Sequence, residues 1–313
     1  MKLVRTKRAL RDQLLPARAA GRSVGLVPTM GYLHDGHLSL LRAARDRCEL
    51  VVMTSFVNPA QFRSDEDLAS YPRDEERDAG LAATAGVDLL YAPPTSEVYA
   101  DGHATSVIVD GITEVLCGDP GRRGTEHFRG VTTVVAKLFN TVQPDVAFFG
   151  QKDAQQAIVI ERMVRDLDFP VEIVVMPTIR EQDGLAMSSR NSHLSPDERR
   201  RATALNQALE AVRERAEGGG SDLRAALAAG RSVLSRAGIE PEYLEARDAT
   251  DLSPIESFNG RAVLVAVAAP VGPTRLIDNL VIVPRPLAPA SGASWQPSQR
   301  AAARPAARAK ERR

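Results

Sequence analysis

Short, almost unbroken apolar runs alternating with amphipathic stretches narrow the folds open to this chain more than anything else in it. Residues 24–27, 50–56, 89–91, 145–149 and 171–176 have the length of strands and little polar alternation. Strands of this kind must be covered on both faces, a condition met in parallel sheets flanked by helices. Helical patterns separate them, one starting at His37 and others over residues 74–85, 131–142 and 154–167. The alternation predicts an α/β chain with a Rossmann-like, doubly wound parallel sheet over residues 1–177. Residues 105–117 are less regular and read as an insertion.

Near Thr178 the character changes. Pro196-Asp197-Glu198, with Ser195 as N-cap, opens a long Arg/Ala/Leu helix that Gly218-Gly219-Gly220 breaks. Ser221-Asp222 starts another, which ends near Gly238. Residues 243–247, 262–268 and 275–283 read as strands. Helices followed by strands predict a smaller α+β C-terminal domain, residues 178–284, with a ligand cleft between the two. Residues 285–313 are rich in Pro, Ala and Arg, with Glu311 the only acid. Such a composition predicts a solvated, disordered tail.

Charge excludes more than it selects. Forty basic and forty acidic residues cancel, leaving no nucleic-acid or membrane signature, and the body without its tail is slightly acidic. No segment reaches the ~20 apolar residues of a membrane span. Met1-Lys2-Leu3-Val4-Arg5 is basic but lacks a signal peptide's apolar core. Cys48 and Cys117 form no Cys-x-x-Cys or disulfide framework and fit a reducing compartment. A soluble cytoplasmic enzyme acting on small molecules is the expectation, with no membrane or nucleic-acid partner.

Residues 28–37, P-T-M-G-Y-L-H-D-G-H, follow the first long apolar strand. Gly31 reads as the turn out of it and His37-Leu38-Ser39-Leu40-Leu41 as the start of a helix. His34 and His37 then lie beside a helix N-terminus at the carboxyl edge of a parallel sheet. Free backbone N–H groups and the helix dipole favour phosphate there. Two imidazole donors suit charge developing on a phosphoryl group. The alternatives are a metal half-site, which lacks the further ligands that zinc wants, and a purely structural pair.

Four other stretches could converge on the histidines. Asn58 and Gln61 follow the second of these strands, and Gly150-Gln151-Lys152-Asp153 leads from another strand into a helix carrying Gln155 and Gln156. Lys152 places a point charge at a helix start, suiting phosphate. Met187-Ser188-Ser189-Arg190-Asn191 follows a flexible Asp183-Gly184, as a phosphate-gripping loop would, and Glu126-His127-Phe128-Arg129-Gly130 could add cationic groups. Each has an ordinary reading too. Ser-Ser-Arg-Asn suits a solvated turn, Gln156 a cap, Lys152 an ion pair with Asp153, and residues 73–78 an exposed helix face with i,i+4 pairs.

P-T-M-G-Y-L-H-D-G-H, F-V-N-P-A-Q-F, Y-P-R-D, F-F-G-Q-K-D-A-Q-Q and G-L-A-M-S-S-R-N, in this order and spacing, resemble the pantothenate synthetase (pantoate–β-alanine ligase) family over residues 1–284. That family belongs to the nucleotidyltransferases related to class I aminoacyl-tRNA synthetases. The resemblance implies an AMP-forming ligation in two steps, serving pantothenate (vitamin B5) and coenzyme A biosynthesis. Pantoate attacks ATP to give pantoyl adenylate and pyrophosphate; β-alanine then displaces AMP. The resemblance also implies a homodimer, and Mg²⁺ bound mainly through the ATP phosphates rather than at a metal site of the protein.

Residue by residue, the resemblance makes His37 the proton donor and His34 its phosphate-contacting partner, with Lys152 and Arg190 as catalytic cations. Met30, Gly31, Gly36, Gly150, Gln151, Asp153, Ile179, Met187, Ser188 and Ser189 complete the implied ATP site. Gln61, Gln156, Pro28, Met30, Asn58 and Phe149 would hold pantoate, Gln61 also meeting β-alanine. Ala154 stands where the family usually has an aromatic residue, and the basic tail lies outside the pattern. The nearest rival is a nucleotidyltransferase that releases an adenylylated product, which would not need the paired glutamines. A dinucleotide-dependent oxidoreductase would want a G-x-G-x-x-G turn, and Pro28-Thr29-Met30-Gly31 is not one. A nucleic-acid binder would rest on the tail alone.

Overall fold

The computed structural model describes residues 1–283 except Arg63, residues 219–221 and Asn259. The expectation for the tail, and part of the glycine break, lie outside the described residues. β1 (Lys2–Val4), β2 (Val24–Thr29), β3 (Leu50–Ser55), β4 (Leu89–Tyr91), β5 (Val146–Gly150) and β6 (Glu172–Met176) form one parallel sheet in the order β1-β4-β3-β2-β5-β6. They are linked through α1 (Lys7–Ala19), α2 (Asp35–Arg47), α3 (Asp65–Ser70), α4 (Glu75–Thr84), α5 (Thr95–Val98), α6 (Thr125–Val142) and α7 (Ala154–Asp166). Successive strand residues point to opposite faces, and both faces are covered. Leu26 and Val52 pack with Leu10 and Leu14 of α1 and Val135 of α6. Val27, Val51 and Met53 pack with Leu41 of α2 and Ala82 of α4. Hence the unbroken apolar runs.

The chain lays down β2, β3 and β4 in one direction, then returns to place β5 on the other side of β2. The switch point therefore falls between β2 and β5, paired at Gly25↔Val146 and Leu26↔Ala147. Open parallel sheets bind ligands beyond the carboxyl ends of the strands at such a point. Here those ends are Thr29 and Gly150, which lead directly into H-D-G-H and G-Q-K-D.

Residues beyond β6 form α8 (Pro196–Ala202), α9 (Ala204–Glu217), α10 (Leu223–Arg236) and an antiparallel sheet of β7 (Tyr243–Asp248), β8 (Val263–Val271) and β9 (Thr274–Ile282), in that order. Ser195 and Glu198 close a reciprocal capping box at the start of α8. The helix expected to run on from Pro196 divides at Thr203, whose hydroxyl donates to the Arg200 carbonyl at 2.8 Å. Val265 and Val267 of β8 pack on Leu205 and Leu209 of α9. Leu264, Ala266 and Ala268 meet Phe128, Val159 and Leu116 of the first unit. Covered twice, β8 has the apolar run of a parallel strand despite its antiparallel neighbours.

The sequence periodicity missed β1, α1 and α3, and set the start of α6 too late. That helix begins at Thr125, not near residue 131, because Gly130 lies inside it rather than ending a loop. Gly130 is where α6 meets the turn at Pro59–Gln61. A Cβ there would lie 2.3 Å from the Ala60 carbonyl oxygen. Gly130→Ala should therefore lower stability by about 1–3 kcal/mol, as overpacking against fixed groups does. Urea denaturation checks this; an unchanged midpoint would mean that the helix backs away freely. Among the described residues no helix is long and apolar enough to cross a membrane.

Candidate active site

The turn leaving β2 is held from a distance. Thr29 Oγ1 donates to the Thr54 carbonyl (2.6 Å) and accepts from the Gly31 N–H. Gly31 adopts φ +82, and a Cβ on it would strike Ser55 Oγ and the Asp78 carboxylate. Asp78, buried on α4, accepts from the backbone N–H groups of Tyr32 (2.5 Å) and Leu33 (2.7 Å). Arg77 donates to the Leu33 carbonyl, and its guanidinium lies over the Tyr32 ring. Residues 73–77 are exposed, as expected, but their ion pairs are not i,i+4: Glu75 meets Arg5, and Arg77 lies 3.5 Å from Asp78. Asp78 points inward as the anchor of the histidine turn, and Arg73 donates to the carbonyls of Leu68 and Tyr71.

α2 starts at Asp35, with His34 as its N-cap. His34 Nδ1 accepts from the Gly36 N–H (3.2 Å), and His37 Nδ1 accepts from the His34 N–H (3.3 Å). A ring nitrogen that accepts carries no proton, so each neutral imidazole holds its hydrogen on Nε2. A Cβ on Gly36 would lie 2.8 Å from His34 Cε1, which explains the glycine between the histidines. Burial and the nearby Lys152 push His34 down to about 4. Burial, then His34, then Lys152 push His37 down to about 3. At neutral pH both are uncharged donors.

Across the switch point, Lys152 is mostly shielded and its Nζ lies 3.7 Å from Asp153 Oδ1. Gln151 turns away: its Nε2 donates to Asn279 Oδ1 of β9, and Asn279 Nδ2 donates to the Gln151 and Lys152 carbonyls. The adjacent glutamines divide their work. Gln155 is buried against the irregular segment, accepting from the Cys117 N–H and donating to the Ile112 and Val115 carbonyls. Gln156 lines the cleft. Ala154, buried at 5 % exposure, packs with Phe128 and Leu264 in the seam between the two sheets.

Asn58 is saturated. Its Nδ2 donates to Gln61 Oε1 and the Gly130 carbonyl, while its Oδ1 accepts from the Tyr99 hydroxyl and the Ala60 N–H. Gln61 is thereby oriented, with its Nε2 3.0 Å from Met30 Sδ. His127 adds no positive charge, contrary to the sequence reading. Burial, foremost, and Arg123 push it down to about 4. Its Nδ1, 2.8 Å from the Gln61 carbonyl oxygen, must therefore carry the proton and donate. Arg129 is spent on Glu126 at 3.0 Å.

The roof comes from residues 177–191. Arg180 forks onto Asp278 of β9 (2.6 and 3.0 Å), and the Met187 N–H donates to the Ile179 carbonyl. Asp183 is paired with Arg199 at 2.6 Å, so the stretch taken as flexible is pinned; Gly184 supplies the turn at φ +91. Tyr71, from Y-P-R-D, is buried and hydrogen-bonded to Ser189, joining floor to roof.

The cleft has a volume of about 270 Å³. Of the residues that the family resemblance assigns to the site, all but Gly31 and Gln151 line it. Gly31 shapes the turn behind it and Gln151 braces the loop. Sequence reasoning missed the apolar wall of Val131, Val134, Val135 and Leu138, and the cations Arg123 and Arg275. The wall was legible only as core periodicity; the two arginines carried no motif.

A cleft of this composition at the switch point of a doubly wound sheet defines an enzyme of the Rossmann-like nucleotide-binding class. Within that class the chain belongs to the pantoate–β-alanine ligase family, whose sequence model matches residues 2–281. Its members form an amide bond. A pantothenate synthetase of Moorella thermoacetica is 55% identical over 291 residues, covering 90% of this chain and 99% of the relative. One from Pelotomaculum thermopropionicum is 50% identical over 272 residues, covering 85% and 93%. The crystal structure of pantothenate synthetase from Thermus thermophilus matches with a TM-score of 0.83 at 48% identity, covering 90% of this chain and 99% of that one. That of the Francisella tularensis pantoate-beta-alanine ligase, complexed with beta-gamma ATP and beta-alanine, matches with a TM-score of 0.74 at 28% identity, covering 90% and 97%.

Proposed function

We propose that this cleft condenses pantoate with β-alanine through a pantoyl adenylate. The observation that carries the reading is the meeting of two chemistries in one cavity. Neutral imidazole donors and Lys152 stand at the switch point, and Gln61 and Gln156 face the same space. A carboxylate is a poor acyl donor until one of its oxygens becomes part of a good leaving group. In the first step a pantoate oxygen bonds to the α-phosphorus and the bond to pyrophosphate breaks. In the second the amine nitrogen bonds to the acyl carbon, loses a proton, and AMP leaves.

His34 and His37 would donate through Nε2–H to phosphoryl oxygens as charge builds, and His37 would do so as a hydrogen-bond donor rather than an imidazolium acid. Lys152 and Arg190 would neutralise phosphate, with Met30, Gly36, Gly150, Asp153, Ile179 and Met187 to Ser189 shaping the nucleotide's pocket. Gln61 and Gln156 can each donate to a carboxylate and accept from a hydroxyl. Pro28, Met30 and Phe149 would cover pantoate's apolar side, and Asn58 would position Gln61. The residues beyond 177 close the site from above, which keeps water from the adenylate. The family resemblance supports a cytoplasmic homodimer.

Among the described residues no cluster of three or more His, Cys, Asp or Glu could hold a metal ion, and Asp278 is committed to Arg180. That donor set suits an ion carried in on phosphate oxygens, with Asp153 the carboxylate at hand. Mg²⁺ bound in that way would supply charge neutralisation for the departing pyrophosphate.

Purified protein supplied with ATP, Mg²⁺, D-pantoate and β-alanine should yield AMP, pyrophosphate and pantothenate. Absence of pantoate-dependent AMP release would exclude the reading, and a free adenylylated product would favour the rival transferase. Gln61→Ala or Gln156→Ala should raise the KM for pantoate about tenfold to a hundredfold, the effect of leaving a buried polar partner unpaired. The KM for ATP should barely move. Equal rises for both substrates would point to a packing defect instead.

A further inference from the structure

We propose that Arg123 is the cation that holds the carboxylate of the incoming amino acid, a role that rests on the two-step reading above. Arg123 lies just before α6 and lines the cleft. Its backbone N–H donates to the Cys117 carbonyl, which fixes the start of the side chain. Its guanidinium has no hydrogen-bond or ion-pair partner among the described residues. Two of the other cleft cations are paired, Lys152 with Asp153 at 3.7 Å and Arg275 with Glu242 at 2.8 Å. Arg190 belongs to the Met-Ser-Ser-Arg loop, which the reading above gives to the phosphates. Burial and the like charges of Arg190 and Arg275 weigh against the Arg123 cation, so its surroundings favour an arriving anion.

The choice of anion follows from the reaction. The phosphates have Lys152, Arg190 and the imidazoles. Pantoate's carboxylate becomes a neutral acyl group in the first step. The carboxylate of β-alanine alone keeps its charge throughout, and among buried groups it needs a counter-charge. Arg123 adjoins the Gln61 part of the cavity: it is close enough to His127 to lower its pKa, and His127 donates to the carbonyl of Gln61. Gly124 provides no side-chain cap for α6, so the positive end of that helix adds to the field of the guanidinium. A forked guanidinium–carboxylate contact would also fix the amine at a set distance from the acyl carbon.

The test separates the half-reactions in the full-length enzyme. Pantoate-dependent ATP–pyrophosphate exchange, run without β-alanine, reads the first. The KM for β-alanine, and the preference for β-alanine over its uncharged amide, read the second. Arg123→Gln should raise the KM for β-alanine about tenfold to a hundredfold, the range for a lost charge-assisted hydrogen bond, and erase the preference over the amide. Exchange should change far less, and Arg123→Lys should restore part of the preference. A fall in exchange matching the fall in overall turnover would assign Arg123 to phosphate and overturn the proposal. So would an unchanged KM for β-alanine. Absence of exchange in the parent enzyme would instead remove the two-step reading, and the proposal with it.

Discussion

His37→Ala should reduce pantoate-dependent AMP formation by about 10²–10³-fold, the cost of losing one pre-aligned donor to a developing charge. The imidazole is neutral, carries its proton on Nε2 and is held there by the backbone N–H of His34. Water entering the vacated space would be an unaligned donor that must reorganise as charge builds. His34→Ala should be comparably damaging, with an added loss of about 0.5–2 kcal/mol in stability because the N-cap goes too. Initial rates, with circular dichroism to check that the helices persist, decide the matter. Near-parental turnover in both variants would make the histidines structural.

Acid should unfold this protein early. His34, His37 and His127 have folded-state values of about 4, 3 and 4, against 6.5 for a free imidazole. Their protonated forms are thus favoured in the unfolded chain, which binds more protons than the folded one. The stability they contribute is complete above pH 6.5 and falls as pH drops through the window from 6.5 towards 4 and 3. Each group removes about 1.4 kcal/mol per pH unit within that window. Between pH 7 and pH 5 the loss should reach several kcal/mol, large against a typical total of about 5–15 kcal/mol. Asp78, raised by burial, works in the opposite sense, since the folded state holds its proton more tightly. Its pull is felt at lower pH. Urea midpoints at pH 7 and pH 5 measure the difference, and equal midpoints would show that the imidazoles are not protected from protonation. The adenylation half-reaction, for its part, should show no ionisation near 6.5.

The parallel sheet was legible because β2, β3 and β5 are buried on both faces, which leaves a run of Val, Leu, Met and Phe that little else produces. The N-cap at Ser195 was legible because its signal is local. The setting of H-D-G-H was readable since strand, turn and helix start are contiguous. What stayed hidden depends on contacts between distant residues. Nothing near Asp78 in sequence says that its carboxylate meets the N–H groups of Tyr32 and Leu33, so it was grouped with the exposed charges that precede it. Which of Gln155 and Gln156 faces the cleft is decided by the Ile112 and Val115 carbonyls, far back along the chain. Gln151 is drawn off by Asn279, more distant still. β1 is too short to show any period.

The start of α2 has an implication for anyone who would improve this enzyme. Its first hydrogen bonds are made by the same imidazoles that the proposed reaction uses, so one set of contacts begins the helix and selects the tautomer. Histidine is a mediocre helix starter, and Asp, Asn or Ser would serve better in that respect. Directed evolution scored on heat resistance alone would therefore be drawn to residue 34, and each gain there would erase one of the two proposed donors to phosphate. If the proposed reaction holds, stability and turnover compete at that position, and selection for either must carry the other as a constraint.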